Sequence, residues 1–153
     1  MQIQIMSDLH LERKGVLEPF FWNFTPKAPV LVLAGDICNA RQLVSVLQRF
    51  CNLFEHVILV LGNHEYWGHN IHRVHEQVQN FVDHLPNLHW LHGSSVKIDG
   101  KTFVGGTLWY PPTDSPWRFL MPDRWLIRGF NPWVHDEHWR MAEVAQAHMG
   151  DVL

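Results

Sequence analysis

No block of lysine and arginine runs through this chain. Its 153 residues carry 12 basic and 15 acidic side chains, for a formal net charge of -3. Binding of nucleic acid through a broad basic face is therefore not supported by charge, and only a local site of that kind stays open. Cysteine is scarce: Cys38 and Cys51 stand alone, without the close Cys–Cys spacing of a zinc site. Cys51 falls in the apolar pattern of a helix and reads as a small core residue, and nothing in the sequence asks for a disulfide. No apolar run approaches the length of a membrane span, and no basic segment followed by an apolar stretch marks a leader at the start. A cytoplasmic, reducing setting with no membrane partner is the expectation. Charged residues make up only 18% against 46% hydrophobic, which excludes a disordered chain and predicts one domain over residues 1–153 with a real core.

What the chain has in quantity is histidine, twelve in all, and tryptophan, eight in all, five of them in the last third. Most of the histidines read as bland. His56, His84, His89 and His92 fall at element edges, and His69, His72 and His75 on a solvated helix face.

Three apolar runs each end in side chains suited to chemistry. Residues 2–6 lead into Ser7-Asp8-Leu9-His10, residues 30–34 into Gly35-Asp36, and residues 57–61 into Gly62-Asn63-His64-Glu65. In the first run Ile3 and Ile5 alternate with glutamines, which predicts a strand with Ile3 and Ile5 on its better-buried face. The second and third are apolar throughout, as in parallel strands covered on both sides. Ala40, Leu43, Val44, Leu47 and Cys51 predict a helix between them. Ile71, Val74, Val78, Phe81, Val82 and Leu85 predict another after the third run. A short strand follows near residues 88–91. A hairpin then turns on Asp99-Gly100, a pair that favours the tight turn of paired strands. Residues 11–28 read as a loop or short helix packed by aromatics, residues 111–132 as an irregular cover, and residues 136–149 as a last helix. The order predicts a layered α/β fold, β-sheets flanked by helices, in which ligands sit at the carboxyl ends of the strands.

Asp8, His10, Asp36, Asn63 and His64 all lie at that end. In an extended segment Asp8 and His10, two apart, point the same way and can address one ion. Asp and His donors suit a borderline divalent cation such as Mn, Fe or Zn. Asp36 is the natural bridge between two such ions, and the Asn63 side-chain oxygen begins the second site. A pair of ions can clamp a phosphate and acidify a water. His64 is then placed to protonate a leaving oxygen. Glu65 is better placed to orient His64 or the turn than to bind metal, and Tyr66 and Trp67 read as a packed lip. Simpler roles exist for each. Asp8 or Asp36 could cap a helix, Asn63 could be a turn residue at positive φ, and His64 could only donate a hydrogen bond.

Asp8-Leu9-His10, Gly35-Asp36 and Gly62-Asn63-His64-Glu65, each after an apolar strand, resemble the first three motifs of the calcineurin-like metallophosphoesterases. Gly105-Gly106-Thr107-Leu108-Trp109 resembles a strand end common in bacterial and phage members. The resemblance covers residues 3–110 and implies a two-sheet β-sandwich flanked by helices. It implies Asp8, His10 and Asp36 as ligands of one metal, Asp36 and Asn63 as ligands of a second, and His64 as the catalytic acid. Gly35, Gly62 and Glu65 support them. The implied reaction is hydrolysis of a phosphomonoester or phosphodiester, and a small-molecule phosphoester is the expected substrate.

Two later family motifs, a histidine after another strand and a Gly-His-x-His pair, are absent. His135, His138 and His148 lie in no such context, although His135 and His138 share a helical face and could substitute. The expectation is a domain lacking its C-terminal strands, a weak second metal site, and impaired catalysis by this polypeptide alone. An exposed sheet edge would favour self-association, or a C-terminal partner chain would complete the site. The competing readings are a non-catalytic metal- or phosphate-binding remnant and a metal-free α/β module of response-regulator type.

Overall fold

The computed structural model describes residues 1–107 and 121–129. Four strands, β1 (Ile3–Met6), β2 (Val30–Ala34), β3 (His56–Val60) and β4 (Leu88–Trp90), form one parallel sheet in the order β1-β2-β3-β4. The connections run through α1 (Leu17–Asn23), α2 (Ala40–Cys51) and α3 (Ile71–Val82). A separate antiparallel hairpin, β5 (Ser94–Ile98) with β6 (Lys101–Gly105), turns on Asp99 and Gly100, both at positive φ. A short helix, α4 (Asp123–Leu126), belongs to the second described segment. The α/β fold with parallel and antiparallel sheets flanked by helices is the one expected.

Period-two alternation sorts the strand side chains between two layers. Leu31 and Leu33 of β2 pair with Val57 and Leu59 of β3, and these four turn toward the buried helix faces of Leu43, Leu47, Val74 and Val78. Val30 and Ile58, on the opposite side, pack with Leu91 and with Ile98 of the hairpin. Helix α2 starts at Asn39, whose side chain accepts the Arg41 N–H, and α3 starts at Asn70, which accepts from His72 and Arg73. Phe20, Phe21 and Phe24 of the α1 region pack on Phe50, as the aromatic content of that stretch predicts. Trp22 is the exception and is exposed.

Strand β1 departs from expectation. Ile3 and Ile5 pair in register with Val30 and Val32 and so share the hairpin's side of the sheet. The hairpin core of Val30, Ile58, Leu91 and Ile98 stops short of them, and they are 42% and 70% exposed. Met6, on the other side, packs against the helix-covered core, and Gln4 is half-buried there. The isoleucines are the outer side chains, because burial in an edge strand is set by the covering layer and not by the strand's own pattern.

Residues 108–120 and 130–153, with His135, His138, His148 and the helix expected over 136–149, lie outside the described residues.

Candidate functional site

The loops after β1, β2 and β3 meet at the carboxyl end of the sheet. The loop after β1 is zipped onto the loop after β2 by three backbone bonds: Asp8 N–H to the Gly35 carbonyl at 3.1 Å, His10 N–H to Asp36 at 3.1 Å, and Leu11 N–H to Ile37 at 2.9 Å. Asp8, His10 and Asp36 have φ values of 52°, 46° and 55°, left-handed conformations that ordinary residues rarely adopt. Three such residues in one place is a concentration of backbone strain of the kind found at functional sites. Asp8 and His10 converge through these turns, not through the extended geometry expected of the segment. The result is a group in which Asp8, His10 and Asp36 each offer a ligand atom within 4.8 Å of the others.

The third loop closes on the second just as tightly. A Cβ on Gly35, itself at φ 86°, would stand 3.0 Å from the Gly62 Cα. The His64 N–H donates to Oδ1 of Asp36 at 3.1 Å. Glu65 is fully buried beneath the site. Its Oε1 accepts from the N–H groups of Ile37 at 2.7 Å and Cys38 at 3.3 Å, and its Oε2 from Gly62 at 2.7 Å and Asp36 at 3.1 Å. Burial holds the Glu65 carboxyl above its ordinary value, and the backbone donors of Ile37, Gly62 and Cys38 oppose that rise only in part. The residue thus holds the turn, one of its two expected roles, and it also clasps the Asp36 loop, which the sequence did not indicate.

Asn63 has an ordinary φ of -78°, so the positive-φ turn reading fails for it. Its Nδ2 donates to Oδ1 of Asp123 at 2.8 Å, which turns the amide oxygen away from that carboxylate. Asp123 is 4% exposed and also accepts from the Trp67 indole at 2.7 Å. The Trp67 ring lies against His64 with centroids 3.6 Å apart. Trp67 therefore packs beside the site as expected. Tyr66 does not: it is 1% exposed in the core, with its hydroxyl 3.0 Å from Nε2 of His75. His75 is correspondingly half-buried against Trp90 and His92, not on a solvated face.

Two residues of the site were not singled out from the sequence. Asp123 sits in a proline- and aromatic-rich stretch with no motif to mark it. Glu12 does carry a signal, since Asp8, His10 and Glu12 recur at intervals of two. Its Oε1 lies 3.3 Å from Nδ1 of His10 and 3.2 Å from Nδ1 of His64, and these three residues form a second group that could hold an ion. Asp36 does not cap α2, because Asn39 does.

The fold and these clusters define an α/β protein with potential metal coordination sites at the carboxyl ends of parallel strands. A family model described as calcineurin-like phosphoesterase matches residues 1–151, and the chain belongs to that family. An uncharacterised protein of Acanthamoeba polyphaga mimivirus is 30% identical over 130 residues, covering 74% of this chain and 46% of the viral protein. The crystal structure of phosphopantetheinyl hydrolase from Mycobacterium tuberculosis superposes with a TM-score of 0.49 and 26% identity, over 57% of this chain and 34% of that one. The chain thus spans less than half the length of either relative. Family and side-chain clusters together support a metal-dependent phosphoesterase-like function in general. Among the described residues no helix is long and apolar enough to cross a membrane.

Proposed function

We propose that this chain hydrolyses a phosphomonoester or phosphodiester of a small molecule with the help of divalent cations held at the β1, β2 and β3 loops. The observation that carries this reading is the convergence of Asp8, His10 and Asp36 within 4.8 Å. Two carboxylates and an imidazole are a donor set that fits Mn, Fe or Zn. Asp8, His10 and Asp36 would hold one cation, and Asp36 with the Asn63 amide oxygen would begin a second. Bound there, such ions supply Lewis acidity toward a phosphate and a more acidic water. The described residues give the second position only two ligands, so the second ion binds more weakly than the first.

The chain's own groups do the rest. Asp36 is kept in place from below by Glu65 and from the side by the His64 N–H. The His64 imidazole, pressed between Trp67 and His10, is positioned to hand a proton to a departing oxygen. The net charge of -3 supports a small substrate over nucleic acid. Both cysteines are free and buried, which supports the cytoplasm as the compartment.

The test is elemental analysis of the chain purified with Mn²⁺ present, beside Asp36→Asn. At least one ion per chain, lost in the variant, is the expected result. Hydrolysis of generic phosphomonoesters and phosphodiesters is then assayed with and without a chelator. A wild-type chain that takes up no ion would sink the proposal.

A further inference from the structure

Glu12 has no part in the function proposed above, yet its carboxylate touches both imidazoles of the site. Oε1 stands 3.3 Å from Nδ1 of His10 and 3.2 Å from Nδ1 of His64. The two rings meet edge to face with centroids 4.3 Å apart. Oε2 is buried and has no hydrogen-bond partner among the described residues. An ionised carboxylate only accepts hydrogen bonds, so each ring nitrogen facing it has to carry the proton. A neutral imidazole with its proton on Nδ1 has its lone pair on Nε2, and the partner at one nitrogen decides what the other can do. One oxygen thereby sets the tautomer of two histidines that come from different loops, 10 and 64 in the chain.

We propose that Glu12 is a positioning residue that holds His10 and His64 together as Nδ1–H tautomers, with both Nε2 atoms left as the working nitrogens. This rests on the reading of His10 and His64 as site residues. For His10 the arrangement leaves Nε2 as the ligand atom for a cation. For His64 it keeps Nδ1–H on Glu12, so the proton handed to a departing oxygen is one that Nε2 has first taken up, with the Trp67 ring against the imidazole.

Long-range ¹H–¹⁵N correlation spectra of the full chain, labelled at histidine, chelated and held at a pH where the imidazoles are neutral, read the tautomers directly. The expected wild-type result is Nδ1–H on both His10 and His64. Nε2–H on either ring overturns the proposal, and this holds even where a variant fails to fold. In Glu12→Ala both rings are expected to lose that signature and average between tautomers, while the other ten histidines keep their signals. Unchanged Nδ1–H on both rings in that variant also overturns it. Because the readout needs neither metal nor turnover, it separates failure here from failure of the metal-uptake test. A chain that binds no cation can still show or lack the two Nδ1–H rings.

Discussion

Gly62 lies so close to Asp36 that a Cβ on the glycine would fall 2.2 Å from Oδ1 of Asp36 and 2.7 Å from its backbone nitrogen. The glycine is what lets the β2 and β3 loops share one space. Gly62→Ala is expected to displace the Asp36 carboxylate, lower stability by about 1–3 kcal/mol through overpacking, and reduce Mn²⁺ uptake. Denaturant titration and elemental analysis of the same preparation check both. Full uptake with an unshifted midpoint would show that the loops have room that the geometry denies.

Glu65 accepts four backbone N–H groups, two on each oxygen. Glu65→Gln has to turn an –NH2 toward one of those pairs and leave two buried donors facing another donor. The expected loss is about 1–3 kcal/mol despite the near-identical shape. Urea unfolding measures it. A midpoint equal to wild type would mean that the loops carry their own geometry without the clasp.

The left-handed backbone at Asp8, His10 and Asp36 makes a distinct prediction. At each position the glycine variant is expected to be more stable than the alanine variant by about 1 kcal/mol, the reverse of the order in a helix or strand. Paired melting curves of His10→Gly and His10→Ala are the simplest comparison. Alanine the more stable of the two would remove the strain argument.

At the far end of the sheet, Nδ1 of His56 and Nε2 of His89 are 3.1 Å apart. Burial, and then the nearby His56, hold the His89 pKa below its ordinary value of 6.5. The unfolded chain therefore takes up the proton first as pH falls, so stability is full above that value and declines below it. His89→Gln is expected to flatten the decline between about pH 7.5 and about pH 5.5 relative to wild type. The comparison has to be a difference, because His69 is lowered in the same direction. An identical slope in both proteins would exclude His89 as a source.

Much of the parallel sheet was legible because fully apolar runs such as Val30–Ala34 have one sensible fate, burial on both faces. The motif residues were legible because each closes such a run. Ile3 and Ile5 were misread because a strand's pattern says which side chains share a face and not which face another layer covers. Tyr66 was misplaced for a related reason. A tyrosine beside a polar motif looks like a rim residue, and only the packing around it shows that the 3-10 turn His64–Tyr66 drives it inward. Asp123 was out of reach, since its partners Asn63 and Trp67 lie more than fifty positions away.

The site's contacts bridge 28 residues between Asp36 and His64, 52 between Glu12 and His64, and 60 between Asn63 and Asp123. The first two bridges follow from strands that run in parallel and must be joined by crossovers, and the third reaches past the hairpin to α4. No short stretch of the chain contains the site, so a peptide or a partly folded chain has nothing with which to grip a cation. Such long loops must close before their contacts repay the entropy, which makes assembly slow compared with a helical bundle of this size. A cation that binds only the assembled loops then draws the folding equilibrium toward them by mass action. The same connectivity that delays the site's formation makes occupancy a report on the whole fold.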